Sequence, residues 1–265
     1  VKVVRITEAN INLYQEELSR LEDEMTYPLG SEFFKISHGN NYLRFFQRLG
    51  DVHLYALLDG EKIAGVAGGV IRIIPDRKGR NQKTWYLCDL KIRKEYRGKG
   101  WTLRWLGRVF ISKYLLCRRA YGISMNPGDG SPNKVLKLLE KFRWAKFSSA
   151  GNLHIYSLSQ SEFSNHQEYL NKEMSGFSLI QLRDIKDIVM QPSQKVMDLY
   201  HLLPGESGPQ NLLISNDAVI MFSLPERHPL HERLLERGLK PSASATVIHH
   251  RMDPFDWDFV RTSDI

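Results

Sequence analysis

Residues 85 to 119 limit what this chain can fold into more than any other stretch. Trp85 to Arg93 reads as a strand, Tyr96-Arg97-Gly98-Lys99-Gly100 interrupts it, and Leu103, Leu106, Phe110 and Tyr114 then fall on or near one helical face. Glycines at such a break let the backbone take positive φ and bring its N–H groups close to an anion. The helix that follows adds unpaired N–H groups and the positive end of its dipole. Between Lys91 and Arg119 ten Lys and Arg residues stand against the single acid Glu95. A plain strand-to-helix connection would use the same glycines for geometry alone. The strand before, the amphipathic helix after and the basic cluster together point to phosphate, with Lys99 and Arg104 adding longer-range attraction.

The rest of the chain sets this unit in context. Val1 to Thr7 alternates as a short strand, Ala9 to Met25 has near-helical apolar spacing, and Asn41 to Leu49 makes a second short helix. A hairpin follows, with strands Val52 to Leu58 and Ile63 to Ile74 about Asp59-Gly60. Beyond the glycine turn come a strand over Ala120 to Met125, a helix to Phe142, and two strand-like runs around Ala150-Gly151-Asn152. The expected order is β-α-α-β-β-β-α-β-α-β-β. With 42% hydrophobic and 25% charged residues, the 265-residue chain is of ordinary globular composition. It has no run of about 20 apolar residues and no signal-peptide layout at its start, so a soluble cytoplasmic protein without a membrane partner is expected. Cys88 and Cys117 form neither a disulfide framework nor a metal spacing and are expected to be reduced core thiols. A net charge of +7 and a pI near 9.3 favour an anionic partner without naming it.

The segment LCDLKIRKEYRGKGWTLRWL resembles the central signature of the GCN5-related N-acetyltransferase (GNAT) superfamily, and the element order resembles that family's fold over residues 1 to 160. The resemblance implies an α/β (α+β) GNAT acyl-CoA fold, a mixed and mostly antiparallel sheet flanked by helices. It implies acetyl-CoA as cosubstrate and transfer of the acetyl group to a primary amine on a small molecule or protein. The family turn R/Q-x-x-G-x-G/A falls on Arg97, Gly98, Lys99, Gly100, Trp101 and Thr102, with Thr102 where Gly or Ala is usual. The backbone of Leu90, Lys91 and Ile92 matches the strand that pairs with the pantetheine arm. The helix SPNKVLKLLEKFRWAKF resembles a second family element, with Asn133 at its asparagine. The tyrosine that often protonates the leaving thiolate is replaced by Leu139 or Glu140.

Direct attack by an amine needs a neutral nucleophile, so a carboxylate near the thioester is expected. Asp89, one residue from the proposed pantetheine-binding backbone, is the candidate base; Glu95 lies nearer the turn as a solvated charge. Tyr121, Tyr156 and His154 are weaker candidates with structural alternatives.

Residues 165 to 265 need a separate account. LLERGLKPSASATVIHHRM resembles the earlier LLEKFRWAKFSSAGNLHIYSL, each a helix end, a small polar stretch and a strand. A second, smaller and degenerate GNAT-like domain over 165 to 265, lacking the phosphate turn, is therefore expected beside the domain of residues 1 to 160. His228, His231, His249 and His250 lack metal-ligand spacing, so no metal is expected. The tail DPFDWDF either caps a groove or packs. Two other readings stand beside the enzyme: a non-catalytic acetyl-CoA sensor, suggested by Thr102 and the missing tyrosine, and a nucleic-acid binder, suggested by the basic cluster. Against the last, Trp101 and Trp105 sit at helical positions and are more simply core or cofactor contacts than a stacking platform.

Overall fold

Alternating apolar residues on either side of a tight reversal at Gly60-Glu61 build the central hairpin, Asp51–Asp59 with Lys62–Pro75, in which Asp59 pairs with Lys62. The computed structural model describes residues 2–29, 32–98, 100–205, 214–253 and 255–265. In chain order the elements are β1 (Lys2–Ile6), α1 (Gln15–Asp23), β2 (Tyr27–Leu29), β3 (Glu32–Ser37), α2 (Leu43–Gln47), β4 (Asp51–Asp59) and β5 (Lys62–Pro75). They continue with β6 (Asn81–Ile92), α3 (Trp101–Tyr114), β7 (Ala120–Met125), α4 (Lys134–Glu140) and β8 (Ser148–Ser159). The remainder is α5 (Gln160–Glu173), β9 (Phe177–Ile180), β10 (Asp187–Gln191), β11 (Leu199–Pro204), β12 (Val219–Pro225), α6 (Pro229–Glu236) and β13 (Ala243–His250). No helix of the described residues is long and apolar enough to cross a membrane.

Ten strands form one mixed sheet in the order β1-β4-β5-β6-β7-β13-β8-β12-β11-β9. Its pairs are antiparallel except for β6 with β7 and β11 with β12. Each parallel pair leads into a helix and then a strand: β6 and β7 into α4 and β8, β11 and β12 into α6 and β13. The final strands change places. β13 lies between β7 and β8, pairing Thr246 with Ser124 on one side and with Asn152 on the other. β8 lies between β12 and β13, with Tyr156 opposite Phe222. The expected parting at residues 160 to 165 falls at α5, and backbone hydrogen bonding runs across it without a break.

Two features depart from the sequence expectation. The two runs around Ala150-Gly151-Asn152 are one strand, β8: β13 steps from Gly151 to Ser149 as a partner between Val247 and Ile248, so a bulge absorbs the irregularity. A three-stranded sheet, β10-β3-β2, was not expected. It joins Asp187–Gln191 from the second half to Phe33–Ser37 from the first. Local signals set the helices better. Ser159 and Glu162 form a reciprocal capping box at the start of α5, and Pro229 opens α6 behind the His228 cap.

One face of the sheet packs against α1 and α2 through Leu18, Leu21, Tyr42, Phe45, Phe46, Leu54, Tyr86 and Tyr121. Val247, Met252, Phe255 and Val260 from the second half belong to the same cluster. The other face, under α3 and α4, carries two smaller clusters centred on Trp85 with Phe142 and on Leu57 with Trp105.

Candidate functional site at the parting of β6 and β7

The phosphate turn depends on backbone sign rather than on space. Gly98 has φ +77° and Gly100 φ +70°, and a Cβ at either would meet nothing within 4 Å. A side chain would fit; the left-handed backbone is what favours glycine. Gly100 is the N-cap of α3, which has neither a side-chain cap nor an acidic residue in its first turn. Arg97 folds back, its Nε donating to the Ile92 carbonyl at 2.8 Å, and so ties the turn to the end of β6. Lys99 and the side chains of Trp101 and Thr102 lie outside the described residues.

Parallel pairing between β6 and β7 covers only Trp85 with Ala120, Tyr86 with Tyr121 and Leu87 with Gly122. Beyond Leu87 the strands part, although β6 continues to Ile92 and β7 to Met125. Cys88 and Leu90 are half-buried there, while the Asp89 carboxylate is buried. The other edge of β6 stays paired to β5 but carries a bulge: Gly68 faces Cys88, and the next pair is Val66 with Lys91. Asp89, at φ +56°, lies in this bulge. A non-glycine residue in that region is uncommon, and here its side chain supplies the compensating contacts.

The Asp89 carboxylate accepts from the Lys91 ammonium and from the Tyr42 hydroxyl. Lys91 also donates to the Tyr42 oxygen at 2.9 Å and reaches Glu22 at 3.4 Å, and Glu22 pairs with His38. Arg93, next on the same side of β6, meets Glu17 and Glu24. Asp89, Lys91 and Arg93 thus share a face, as alternation predicts, and α1 with the adjoining Glu24 provides their acidic partners from outside β6. Burial would raise the Asp89 pKa, but the Lys91 charge and then His38 outweigh it and hold the carboxyl below its ordinary value. Lys91 is raised despite burial because Asp89 and Glu22 favour its charged form. Asp89, expected as the candidate base, has both oxygens engaged and a reduced affinity for a proton. Lys91 was expected to offer only its backbone, yet its side chain is the centre of the cluster.

Asn133 is likewise committed. Its Oδ1 caps α4 by accepting from the Val135 and Leu136 N–H groups at 3.0 and 3.1 Å. Its Nδ2 donates to the carbonyl of Ser124 at 3.1 Å and to Asn126 Oδ1 at 3.0 Å. A buried side chain with these partners fastens the end of β7 to α4; cofactor contact through it would require breaking them. Leu90 and Ile92, both half-buried, flank Lys91 on the open stretch of β6.

The weaker candidates separate. Tyr121 stacks on Tyr86 at 5.0 Å and accepts from Arg72 at 2.9 Å, beside the parting strands. Tyr156 and His154 lie in β8, where Tyr156 bonds His231 at 2.7 Å and His154 stacks on His231 at 3.8 Å. Tyr42, Glu22 and His38 were missed, because the short α2 and the α1–β3 contact bring them to β6 from sequence separations of 47 to 69 residues. No local pattern marks them.

Two cavities flank the sheet. One of about 110 Å³ lies under α3 and is lined by Trp85, Leu106, Phe110 and Phe142 among others; the buried His53 Nδ1, Trp105 Nε1 and His250 Nε2, which have no hydrogen-bond partner among the described residues, belong to residues of this lining. A groove of about 520 Å³ runs between the start of β8, the start of α6 and residues 252 to 258, with Phe255 and Trp257 from the acidic aromatic tail along its wall. Phe255 is fully buried, so the tail both packs and borders a groove. No group of three His, Cys, Asp or Glu able to hold a metal occurs among the described residues.

No family model matches the chain. It is 23% identical to uncharacterized protein L340 of Acanthamoeba polyphaga mimivirus, over 98% of this chain and 79% of that protein. It is similar to a GCN5-related N-acetyltransferase from Anabaena variabilis with a TM-score of 0.46 at 11% identity, covering 94% of this chain and 72% of that one. A tandem GNAT protein from the clavulanic acid biosynthesis pathway matches it with a TM-score of 0.52 at 8% identity, covering 96% of this chain and 99% of that one. The chain has a tandem GNAT fold. In this GNAT fold the β6–β7 connection carries the glycine turn and the 14-residue α3. The corresponding β11–β12 connection has no R/Q-x-x-G-x-G/A sequence, and its residues 206 to 213 lie outside the described ones.

Proposed function

We propose that the chain transfers an acetyl group from acetyl-CoA to a primary amine at the opening between β6 and β7. The observation that carries this reading is the succession of an opened parallel strand pair, a bulge at Asp89, two glycines of positive φ and an uncapped helix start. The turn and the first turn of α3 offer backbone N–H groups to a diphosphate. The free edge of β6 at Leu90, Lys91 and Ile92 offers main-chain partners to an extended amide-containing arm. That arm brings a thioester carbon to the bulge, where strand N–H groups can stabilise charge building on its oxygen. The amine attacks this carbon, a C–N bond forms, the C–S bond breaks with its electron pair leaving on sulfur as the coenzyme A thiolate, and the amine's extra proton passes to water.

Asp89 has a positioning part in this scheme: with Lys91 and Tyr42 it fixes the bulge. The amine then arrives neutral, and the rate follows its unprotonated fraction. Titration with coenzyme A tests the site, because a bound ligand raises the melting temperature with its concentration. The shift is expected for the natural chain and expected to vanish in Gly100→Val; an undiminished shift in that variant would remove the turn from the site. The engaged Asp89 and the Leu139 or Glu140 at the usual tyrosine favour a second reading, an acetyl-CoA-binding module without turnover. Thiol release with a panel of amines separates the two.

A further inference from the structure

Three cations from separated parts of the chain gather on the α1/α2 face, next to the point where β6 and β7 part. Arg72 in β5 bonds Asp264 at 2.8 Å and Tyr121 at 2.9 Å. Tyr121 directly precedes Gly122, the last β7 residue paired with β6. Arg48, following α2, reaches the other oxygen of the same Asp264 at 3.5 Å and donates to the Ser263 carbonyl. Lys186, at the entry to β10, places its ammonium 4.7 Å from the centroid of the Phe45 ring, and the Arg48 guanidinium carbon lies 5.5 Å from that centroid. The Lys186 backbone N–H donates to the Leu182 carbonyl at 2.8 Å, but its ammonium makes no ion pair or hydrogen bond among the described residues. One carboxylate thus serves two guanidiniums, and the half-buried ammonium beside them has none.

The neighbouring groups lie in the resulting positive field. Burial, Lys91 and Arg48 bring Lys186 down to about 8, outweighing the opposing pull of Asp89 and Asp264. Burial, Lys186 and Arg48 bring the imidazole of His201, in β11, down to about 3. Partly desolvated cations outnumber the one carboxylate that pairs with them here, and an anion seated among these groups would relieve the cost. Arginine suits this task because its planar fork matches carboxylate and phosphate oxygens.

We propose that Arg48, Arg72 and Lys186 bind an anionic group carried by the amine acceptor, so that the preferred acceptors are acidic amines. The word acceptor rests on the acyl-transfer reading above; the anion site does not. Carboxylate and phosphate share this chemistry, and the amines chosen distinguish them. The full chain is assayed for thiol release from acetyl-CoA with β-alanine, 2-aminoethyl phosphate and butylamine at a pH matched to each amine's neutral fraction. At least a tenfold higher kcat/KM for one or both acidic amines is expected, the better one naming the anion. Lys186→Met is expected to lower that kcat/KM about tenfold through KM and to bring the ratio to butylamine toward one. Should this variant not fold, Arg48→Gln takes its place. Equal rates for the three amines overturn the anion site and leave acyl transfer standing. If no amine releases thiol, calorimetric titration of the same chain with inorganic phosphate decides: binding that Lys186→Met abolishes supports the site, and no binding to the natural chain overturns it.

Discussion

The Asp89 carboxylate and the Lys91 ammonium form an ion pair buried to about 95%, and the Tyr42 hydroxyl touches both partners. Removing Asp89 leaves the buried Lys91 ammonium with only the longer 3.4 Å contact to Glu22 as counter-charge. Asp89→Asn is therefore expected to cost about 3–5 kcal/mol of stability, measured by denaturant unfolding. Adding Lys91→Met should recover much of it. Asp89, with its pKa lowered, contributes stability above its unfolded value of about 4 that is lost as pH falls through the folded value. Lys91, with its pKa raised, contributes below about 10.4, lost as pH rises further. The loss in Asp89→Asn should thus be fully present just above about pH 5 and shrink as pH falls through the folded value; a loss that grows on acidification would contradict the pair.

Gly100→Val tests backbone sign apart from space. Nothing crowds the new side chain, so the cost should be the left-handed strain alone, about 1–2 kcal/mol. Gly60→Val is the control: it also has positive φ and open space, but it lies in the β4–β5 reversal. Both variants should lose similar stability, whereas only Gly100→Val should lose the response to coenzyme A. Equal retention of that response would disconnect the turn from binding.

His201 predicts an acid limb in the stability curve. Its neutral ring is kept in the fold down to about pH 3, while an unfolded histidine takes a proton near pH 6.5. The unfolded state then binds more protons, so stability should fall as pH drops from about 6.5 toward 3. His201→Gln, able to keep the 3.0 Å contact with Thr262, should flatten this limb. An unchanged slope in the variant would place the acid sensitivity elsewhere.

The exchange of β8 and β13 predicts one cooperative unit. Val247 in β13 is buried in the α1/α2-side core, and its strand pairs with both β7 and β8. Val247→Ala should cost about 1–3 kcal/mol. Hydrogen exchange in the most protected amides of β4–β5 and of β11–β12 should accelerate by the same factor. Acceleration confined to the first pair, or two calorimetric transitions in the natural chain, would mean that the halves unfold separately.

The stretch from Trp85 to Tyr114 determined its own local form. Strand alternation, two glycines and a helical apolar face are interactions within about five residues, and they fixed the turn and the start of α3 without outside help. The matching helix-to-strand endings at 138–158 and 234–252 likewise pointed to two related halves. What those endings pair with was not written locally. A strand with apolar residues on both faces, such as Thr246-Val247-Ile248, states that it is buried, and its neighbours β7 and β8 are chosen only when the whole sheet assembles. The same holds for chemistry. Asp89 alone is a carboxylate next to an expected binding strand, and it became the acid of a closed ion pair only when α1 and α2 brought Glu22, His38 and Tyr42 against β6. Arg48, Arg72, Lys186 and Asp264 carry no motif at all, since a charge cluster drawn from four separated segments exists only through the distances that tertiary packing sets.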